Sequence, residues 1–260
     1  MKASFQIGPI EIYSYGFLIA VGVIAAFYAA EFRAKRLGLD SERVWPLGGW
    51  CAVGGFLGAK LMYVLTEWKS LFSGELSFSD IMYGFVVYGG IILGIFSGYL
   101  YTRIKKLNFL QYFDLVMPSI ALAQGFGRLG CFMAGCCYGK ETTAWYGMKF
   151  KDSVYHGMRN VKVIPTQLVM SVADFAHFVI LIMIAKVMKK KGKDGVVAGC
   201  YLTFYSIGRF LIEFLRDDPR GPVFSIFSVS QCISFASFLA GAGMLCYFLL
   251  VKPKKIQTEE

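Results

Sequence analysis

The segment Val229-SQCISFASFLAGAGMLCYFLL-Val251 contains no charged residue and is long enough to cross a membrane. An α-helix rises 1.5 Å per residue, so about 20 apolar residues span the ~30 Å hydrocarbon core of a bilayer. Similar segments recur along the whole chain and leave no soluble domain between them. The composition agrees, because 56% of the 260 residues are hydrophobic and 17% are aromatic. This pattern is typical of a membrane protein.

We predict an all-α membrane protein with seven transmembrane helices, which form a single polytopic domain over residues 1–260. No cleavable signal peptide is expected, because the first apolar segment is too long and continuous for one. The predicted spans, with approximate bounds, are Ser14–Ala30, Val44–Leu65, Ile81–Tyr101, Leu115–Cys131, Val169–Val187, Val196–Phe214 and Val229–Val251.

The positive charges predict the orientation, because cytoplasmic loops carry an excess of Lys and Arg. These residues concentrate in alternate connections, namely Arg33–Arg43, Arg103–Lys106, Lys186–Lys193 and Lys252–Lys255. The amino terminus is therefore predicted outside and the carboxyl terminus in the cytoplasm, with an external loop at residues 139–165 between helices four and five. The net charge of +10 indicates contact with anionic lipid headgroups, and no nucleic acid partner is predicted.

Five polar residues are predicted at one depth in the outer half of the bilayer. Arg128 follows Asp114, where segment four starts, by about 14 residues, which is ~21 Å of helix. Arg209 and Lys60 lie 13 and 16 residues beyond the starts of their own segments, at a similar height. Tyr15 and Tyr88 lie near the outer ends of segments one and three. Each of them can bind an anion or move a proton.

The two arginines predict a phosphate site. An arginine at the centre of a membrane costs at least ~2.5 kcal/mol, so it normally faces a partner or a polar cavity. Its planar fork fits two phosphate oxygens, and Arg128 and Arg209 on different helices can clamp one headgroup. An internal ion pair is the alternative for Arg209, because Glu213 lies four residues later on the same helical face.

The glycines around the first arginine have two interpretations. They can let the backbone line a ligand cavity, or they can serve close helix packing, as Gly54, Gly58, Gly90 and Gly94 also would. The glycines concerned are Gly125, Gly127, Gly130, Gly135 and Gly139.

Over nearly its whole length, the chain resembles the prolipoprotein diacylglyceryl transferase family of bacterial inner-membrane enzymes. The stretches that carry the resemblance are Ile7-Gly-Pro-Ile10, Tyr15-Gly16, Gly58-Ala-Lys60-Leu-Met-Tyr63, Tyr88-Gly89-Gly90, Gly127-Arg128-Leu-Gly130, Pro165-Thr-Gln167 and Arg209-Phe-Leu-Ile-Glu213-Phe-Leu-Arg216 followed by Asp218. The family's topology also has seven spans with the amino terminus outside.

The resemblance implies transfer of a diacylglyceryl group from phosphatidylglycerol to the lipobox cysteine thiol of a prolipoprotein, with glycerol phosphate as leaving group. The implied partners are phosphatidylglycerol, prolipoprotein signal peptides and the bilayer. The implied place is the bacterial plasma (inner) membrane, with the active site towards the outer leaflet. No cofactor is implied.

The family motifs also imply roles for individual residues. Arg128 and Arg209 bind the phosphate and stabilise the leaving group, and Glu213 orients Arg209. Tyr88 occupies a catalytic position. The remaining residues expected to bind phosphatidylglycerol are Tyr15, Gly139 and Lys60.

The chain departs from the family pattern at several positions. Tyr88 replaces the usual histidine before Gly-Gly, and a phenol is a much weaker base than an imidazole near neutral pH. Cys131, Ala134 and Cys136 replace the usual asparagines and glutamate of the signature. The general base is therefore unassigned. A paralogous transferase with another acceptor, or a non-catalytic phospholipid-binding protein, remains an alternative.

The cluster of Cys131, Cys136 and Cys137 has several interpretations. It can be compact packing, a disulfide from Cys131 to either of the other two, or a thiol relay in which Cys136 carries the lipid transiently. A metal site would need further ligands, and the only histidines, His156 and His177, show no recognisable ligand spacing. No metal is predicted, and Cys136 and Cys131 are the candidate reactive thiols.

Overall fold

The computed structural model describes residues 4–73, 77–150, 161–217, 222–224 and 227–250. In that part of the chain, six helical segments are long and apolar enough to cross a membrane. They are Ser14–Leu37, Ser41–Thr66, Phe109–Ala134, Thr166–Lys190, Val196–Glu213 and Val229–Leu250. The chain thus has the helices of a multi-pass membrane protein, and the predicted helical class is confirmed.

The described part of the chain contains helices and short strands. The helices are α1 (Ser14–Leu37), α2 (Val44–Thr66), α3 (Trp68–Phe72), α4 (Phe78–Tyr83), α5 (Val87–Ile104), α6 (Phe109–Ala134), α7 (Thr166–Lys190), α8 (Val196–Glu213) and α9 (Val229–Leu250). The strands form three antiparallel pairs, β1 (Ser4–Ile7) with β2 (Ile10–Tyr13), β3 (Met148–Lys149) with β4 (Lys162–Val163), and β5 (Pro222–Phe224) with β6 (Phe227–Ser228).

The third predicted span, Ile81–Tyr101, is divided in the structure. Its first residues belong to the short helix α4, residues 84–86 are not helical, and α5 begins at Val87. α5 is not among the six helices that are both long and apolar enough to cross a membrane, so a count of seven spans stays a prediction. The predicted orientation of both termini also stays a prediction. Val251, the predicted end of the last span, and the cluster Lys252–Lys255 lie outside the described residues.

Cα packing divides the chain into two compact units, residues 31–112 and residues 1–30 with 113–260. In the first unit α2 packs along α5 through small residues. A Cβ added at Gly58 would overlap the Gly89 carbonyl, and one at Gly90 would lie 2.9 Å from the Gly55 carbonyl oxygen. Helix packing therefore accounts for these glycines. The prediction of one domain over 1–260 stays untested.

In the second unit, α6, α7 and α8 share a core in which Ala121, Leu181 and Ala198 are fully buried. Asp114 of α6 fixes the start of α8, because its carboxylate accepts hydrogen bonds from the backbone N–H of Gly195 at 2.7 Å and of Ala198 at 2.8 Å. A carboxylate at a helix N-terminus satisfies free N–H groups and complements the helix dipole. These contacts hold α8, which carries Arg209, against α6, which carries Arg128.

The segment between α6 and α7 is anchored at both ends. Gly139 N–H donates to the Ile164 carbonyl at 2.9 Å, and β3 pairs with β4. Residues 151–160 of the predicted external loop lie outside the described residues, and the side of the membrane on which the loop lies stays a prediction.

Candidate active site

Arg128 lies two turns before the end of α6, within electrostatic range of groups from three places in the fold. These are Tyr205 of α8, Asp174 of α7, and the thiols of Cys131 and Cys137 that follow it along the chain. The arginine predicted as the main anion-binding group thus lies among polar and ionisable side chains, as an intramembrane arginine should.

Tyr15 lies beside the stretch Gly127-Arg128-Leu-Gly130 of α6. Its ring packs on α6 at Gly130, where an added Cβ would lie 3.1 Å from Tyr15 Cδ2. Tyr15 is also within electrostatic range of Arg128 and of the cysteine cluster. The structure therefore brings together Tyr15, Arg128 and the candidate thiols, while the phospholipid-binding role of Tyr15 stays a prediction.

Arg209 is held by a short polar network at the end of α8. Its Nη1 lies 2.6 Å from Glu213 Oε2, and its Nη2 donates to Ser230 Oγ at 2.9 Å. The other carboxylate oxygen of Glu213 accepts from Ser228 Oγ at 2.8 Å. The ion pair that the spacing predicted is confirmed. Asp218, which follows this motif, lies outside the described residues.

A stack of aromatic rings lies beside Arg128. Tyr205, whose phenol is within range of Arg128, lies one helical turn before Arg209 on α8. The Tyr205 ring stacks on Tyr201 at a centroid distance of 5.8 Å, and Tyr201 stacks on His177 at 5.3 Å. Arg128 therefore approaches the face of α8 from which Arg209 extends. Sequence reasoning missed Tyr205, although its spacing of four from Arg209 was visible.

Asp174 is a second residue that the sequence argument missed. It is buried on α7, and its Oδ2 has no hydrogen-bond partner among the described residues. Its charge lies within electrostatic range of Arg128, so α7 supplies the acid that is absent from the sequence next to that arginine. An aspartate inside the apolar segment Val169–Val187 was the available signal.

The three clustered cysteines converge at the end of α6. Their Sγ atoms all lie within 4.8 Å of one another. All seven cysteines of the chain are free thiols in this structure, so it contains no disulfide. His156, one of the two histidines considered as ligands, lies outside the described residues.

The backbone of Cys136 and Cys137 is clamped by the start of α7. Gln167 Nε2 donates to the Cys136 carbonyl at 2.7 Å, and Thr166 Oγ1 donates to the Cys137 carbonyl at 2.9 Å. Cys137 has a φ of 63°, a left-handed conformation that a residue with a side chain rarely adopts. These contacts fix the direction of the two thiols.

The two adjacent thiols differ in acidity. Hydrogen bonds with Cys131 and Cys136 lower the pKa of the Cys137 thiol, and the Arg216 guanidinium lowers it further, against the effect of burial. Hydrogen bonding with Cys131 and Cys137, together with burial, raises the pKa of Cys136. These effects make Cys137 the more acidic of the two thiols, and the reactive roles predicted for Cys136 and Cys131 stay predictions.

Gly139 is enclosed by protein atoms. An added Cβ would lie 2.6 Å from the Leu215 carbonyl oxygen and 2.7 Å from Thr166 Cγ2. The residue also forms a β-bridge with Arg216. Packing explains the need for glycine here, and contact between Gly139 and phospholipid stays a prediction.

Lys60 and Tyr88 belong to the unit formed by residues 31–112. Lys60 Nζ donates to the carbonyls of Met82 at 2.9 Å and Gly84 at 2.8 Å, and it lies 3.9 Å from the centre of the Phe85 ring. This lysine therefore holds the non-helical link before α5. Tyr88 lies in the first turn of α5 and is 42% exposed. The catalytic and binding roles predicted for these two residues stay predictions.

The sequence profile of the family described as prolipoprotein diacylglyceryl transferase matches residues 2–247. The chain belongs to this family. Its relatives include a phosphatidylglycerol–prolipoprotein diacylglyceryl transferase of Clostridium tetani, 40% identical over 91% of this chain and 93% of the relative. A second enzyme of that name from Clostridium perfringens is 42% identical, over 93% of this chain and 92% of its own length. One from Clostridioides difficile is 34% identical over 100% of this chain and 99% of its own.

Membership of the prolipoprotein diacylglyceryl transferase family confirms the resemblance that the motifs indicated. The paired Arg209 and Glu213 and the position of Arg128 give two of those motifs a physical basis. The cysteines that stand at signature positions form a cluster of their own beside Arg128.

Proposed function

We propose that this protein transfers the diacylglyceryl group from phosphatidylglycerol to the lipobox cysteine thiol of prolipoproteins and releases glycerol phosphate. The observation that carries the proposal is the placement of two arginines in a member of this family: Arg128 of α6 is within electrostatic range of Tyr205 on α8, and Arg209 lies one turn after Tyr205 on the same helix. A phosphodiester is the anion that such a pair suits, because each guanidinium offers a planar fork of donors.

The arginines act on the leaving group. As the bond between the diacylglyceryl carbon and the phosphate oxygen breaks, negative charge grows on the departing phosphate. Donors that already point to this charge lower the barrier, because they need no reorganisation during the reaction. The hydrogen bonds of Arg209 to Glu213 and Ser230 fix its guanidinium in advance. Arg128 supplies the second positive charge.

The acceptor must attack as a thiolate. Tyr88, at the position of the family's histidine, positions substrate near the reacting atoms in this proposal, and Tyr15 and Lys60 contact the phospholipid. A covalent relay through Cys136 or Cys131 is disfavoured on chemical grounds. Its second step would have to break a carbon–sulfur bond in a thioether, and a neutral thioether is a poor leaving group.

The proposal includes the topology that the loop charges predict. Seven spans, with α5 as the third, put the amino terminus outside and the carboxyl terminus in the cytoplasm. In this orientation the ends of α6 and α8 that carry both arginines lie towards the outer leaflet of the inner membrane. Phosphatidylglycerol then enters from the bilayer, and the signal peptide of the prolipoprotein brings its cysteine to the same depth.

A transfer assay tests the proposal. Purified protein in phosphatidylglycerol vesicles receives a lipobox peptide, and the lipid-modified peptide is quantified. Arg128→Ala and Arg209→Ala should abolish transfer, whereas Arg36→Ala, which changes an exposed arginine near the end of α1, should not. Tyr88→Phe shows whether the phenol takes part. Transfer that persists in both active-site arginine variants would refute the role of the arginines. Phospholipid binding without transfer by the wild-type protein would favour a non-catalytic binding protein.

A further inference from the structure

The spacing of the cysteine sulfurs is close to that of a thiolate metal site. The Sγ atoms of Cys131, Cys136 and Cys137 lie within 4.8 Å of one another. Sulfurs bound to one tetrahedral zinc ion at ~2.3 Å are about 3.8 Å apart. The three sulfur separations are therefore at most about 1 Å longer than those in a zinc site.

The backbone that carries these sulfurs is already fixed. Cys136 N–H donates to the Cys131 carbonyl at 3.1 Å, so the chain turns back on the end of α6. Gln167 and Thr166 hold the next two carbonyls, and the left-handed conformation of Cys137 directs its side chain back towards Cys131. A site held by neighbouring hydrogen bonds loses little entropy when a metal binds.

Positively charged side chains lie near the three sulfurs. Three thiolates and one Zn²⁺ carry a net charge of −1, and two guanidinium groups lie near them. The Arg216 guanidinium lies within interaction range of the Cys137 thiol, and Arg128 is within electrostatic range of Cys131 and Cys137. Cationic hydrogen-bond donors to the sulfurs stabilise such a complex in a site with little water.

The three cysteines would supply three ligands. A tetrahedral zinc ion with three protein ligands keeps its fourth coordination position free. Within the described ranges, no fourth His, Cys, Asp or Glu joins the three sulfurs. Structural zinc sites use four protein ligands, whereas catalytic sites use three and keep the fourth position for water or substrate.

We propose that Cys131, Cys136 and Cys137 bind one zinc ion, and that its open position takes the thiol of the acceptor cysteine as a thiolate. This inference rests on the proposed function, because the acceptor thiol is that of the transfer reaction. A thiol that binds to zinc is deprotonated. The metal thus performs the task for which the chain, with Tyr88 at the family's histidine position, has no assigned base.

The step balances without any redox change. The acceptor thiol displaces a water molecule from zinc and its proton passes to solvent. The sulfur then forms a bond to the diacylglyceryl carbon, while the bond from this carbon to the phosphate oxygen breaks and its electrons stay on glycerol phosphate. The neutral thioether binds zinc weakly and leaves, and water returns. Arg128, close to both the cysteines and the expected phosphate, lies where nucleophile and leaving group must meet.

The proposal departs from the sequence-based expectation of no metal, which relied on the absence of a histidine at ligand spacing. The convergence of the sulfurs was not visible in that spacing. Thiolate ligands suit both zinc and copper(I). The proposal names zinc, because a copper(I) ion held by three thiolates would leave no position for the acceptor.

The test uses the full-length protein in detergent. After incubation with zinc chloride and dialysis, elemental analysis should find one zinc per chain. After replacement by cobalt(II), the sulfur-to-metal charge-transfer bands should strengthen when a lipobox peptide is added, and not when its cysteine is replaced by serine. Absence of bound zinc, a preference for copper(I), or cobalt bands that ignore the cysteine peptide would each overturn the proposal.

Serine variants of the three cysteines test whether they are the metal ligands. Because loss of an outer-shell partner already lowers metal affinity about 10–100-fold, loss of a ligand in Cys131→Ser, Cys136→Ser or Cys137→Ser should lower it at least as much. Cys246→Ser changes an exposed thiol on α9 and should keep the zinc. Zinc retained in the triple serine variant would overturn the proposal. The cobalt spectrum of the wild-type protein answers the question even if these variants fold poorly.

The transfer assay separates this inference from the proposed function. Full transfer by protein that elemental analysis finds free of zinc after chelation would overturn the zinc proposal and leave the transferase intact. A cobalt spectrum that responds to the cysteine peptide, in a protein without transferase activity, would support the site and contradict the proposed reaction.

Discussion

Arg209 Nη1 lies 2.6 Å from Glu213 Oε2 one turn further along α8, and the two side chains are only 11% and 8% exposed. Ser228 and Ser230 at the start of α9 complete the network. The acid and the hydroxyls hold the guanidinium in one direction. A guanidinium that is already oriented stabilises the departing glycerol phosphate more effectively than one that must reorient during the reaction.

Removal of the acid should affect stability and activity together. Glu213→Ala leaves a buried guanidinium without its counter-ion and should lower the free energy of unfolding by about 3 kcal/mol. Ser230→Ala is the matched control, because it removes one hydrogen bond from the same guanidinium and should cost about 1 kcal/mol. Thermal unfolding and the transfer assay measure both. Equal effects of the two variants would show that the ion pair does not hold the arginine.

The glycines that precede the arginines should reveal where the phospholipid binds. An added Cβ at Gly127 or Gly208 would meet no atom within 4 Å, and the same is true of Gly243 on α9. Each Gly→Ala change should keep or raise stability, by up to ~1 kcal/mol in a helix. We expect Gly127→Ala and Gly208→Ala to raise the KM for phosphatidylglycerol several-fold and Gly243→Ala to leave it unchanged. Unchanged kinetics in all three would place the headgroup elsewhere.

Asp174 should act through Arg128. Asp174→Asn removes a buried carboxyl group within range of the guanidinium, so the orientation of Arg128 should loosen and kcat/KM should fall several-fold. Asp114→Asn is the contrast, because Asp114 caps the start of α8 and its loss should mainly lower stability. Unfolding and kinetics measured on both variants separate the roles. A similar loss of stability with unchanged kinetics in the two variants would make Asp174 purely structural.

Gly139 should prove a packing residue. A Cβ there would press on the Leu215 carbonyl oxygen and on Thr166, so Gly139→Ala should destabilise the protein by about 1–3 kcal/mol. Gly16→Ala, where an added Cβ meets no atom within 4 Å, is the control. Activity of Gly139→Ala at a temperature where the protein stays folded should be near normal. Normal stability with lost activity would instead support direct contact with substrate.

The apolar segments were predictable because length and hydropathy alone determine what can cross a bilayer. The ion pair of Arg209 with Glu213 was predictable for a similar reason, since a spacing of four places both on one helical face. The break in the helix before α5 was not predictable from the sequence. It depends on Lys60, whose ammonium binds the carbonyls of Met82 and Gly84 more than 20 residues away.

The convergence of the three cysteines likewise could not be predicted from the sequence. The residues were visible in the sequence, but their convergence depends on the left-handed conformation of Cys137 and on hydrogen bonds from Thr166 and Gln167. Asp174 differs, because an acid inside an apolar segment was a readable signal. Only its approach to Arg128 required the packing of α6 against α7.

The most direct test of the account is the stoichiometry of products formed by the wild-type protein. Phosphatidylglycerol labelled in its diacylglyceryl group is incubated with a lipobox peptide, and the modified peptide and the released glycerol phosphate are both quantified. The account predicts equal amounts of the two products, with the label on the cysteine and none on a peptide with serine in its place. A folded protein that forms no modified peptide, or that labels the serine peptide equally, would contradict it.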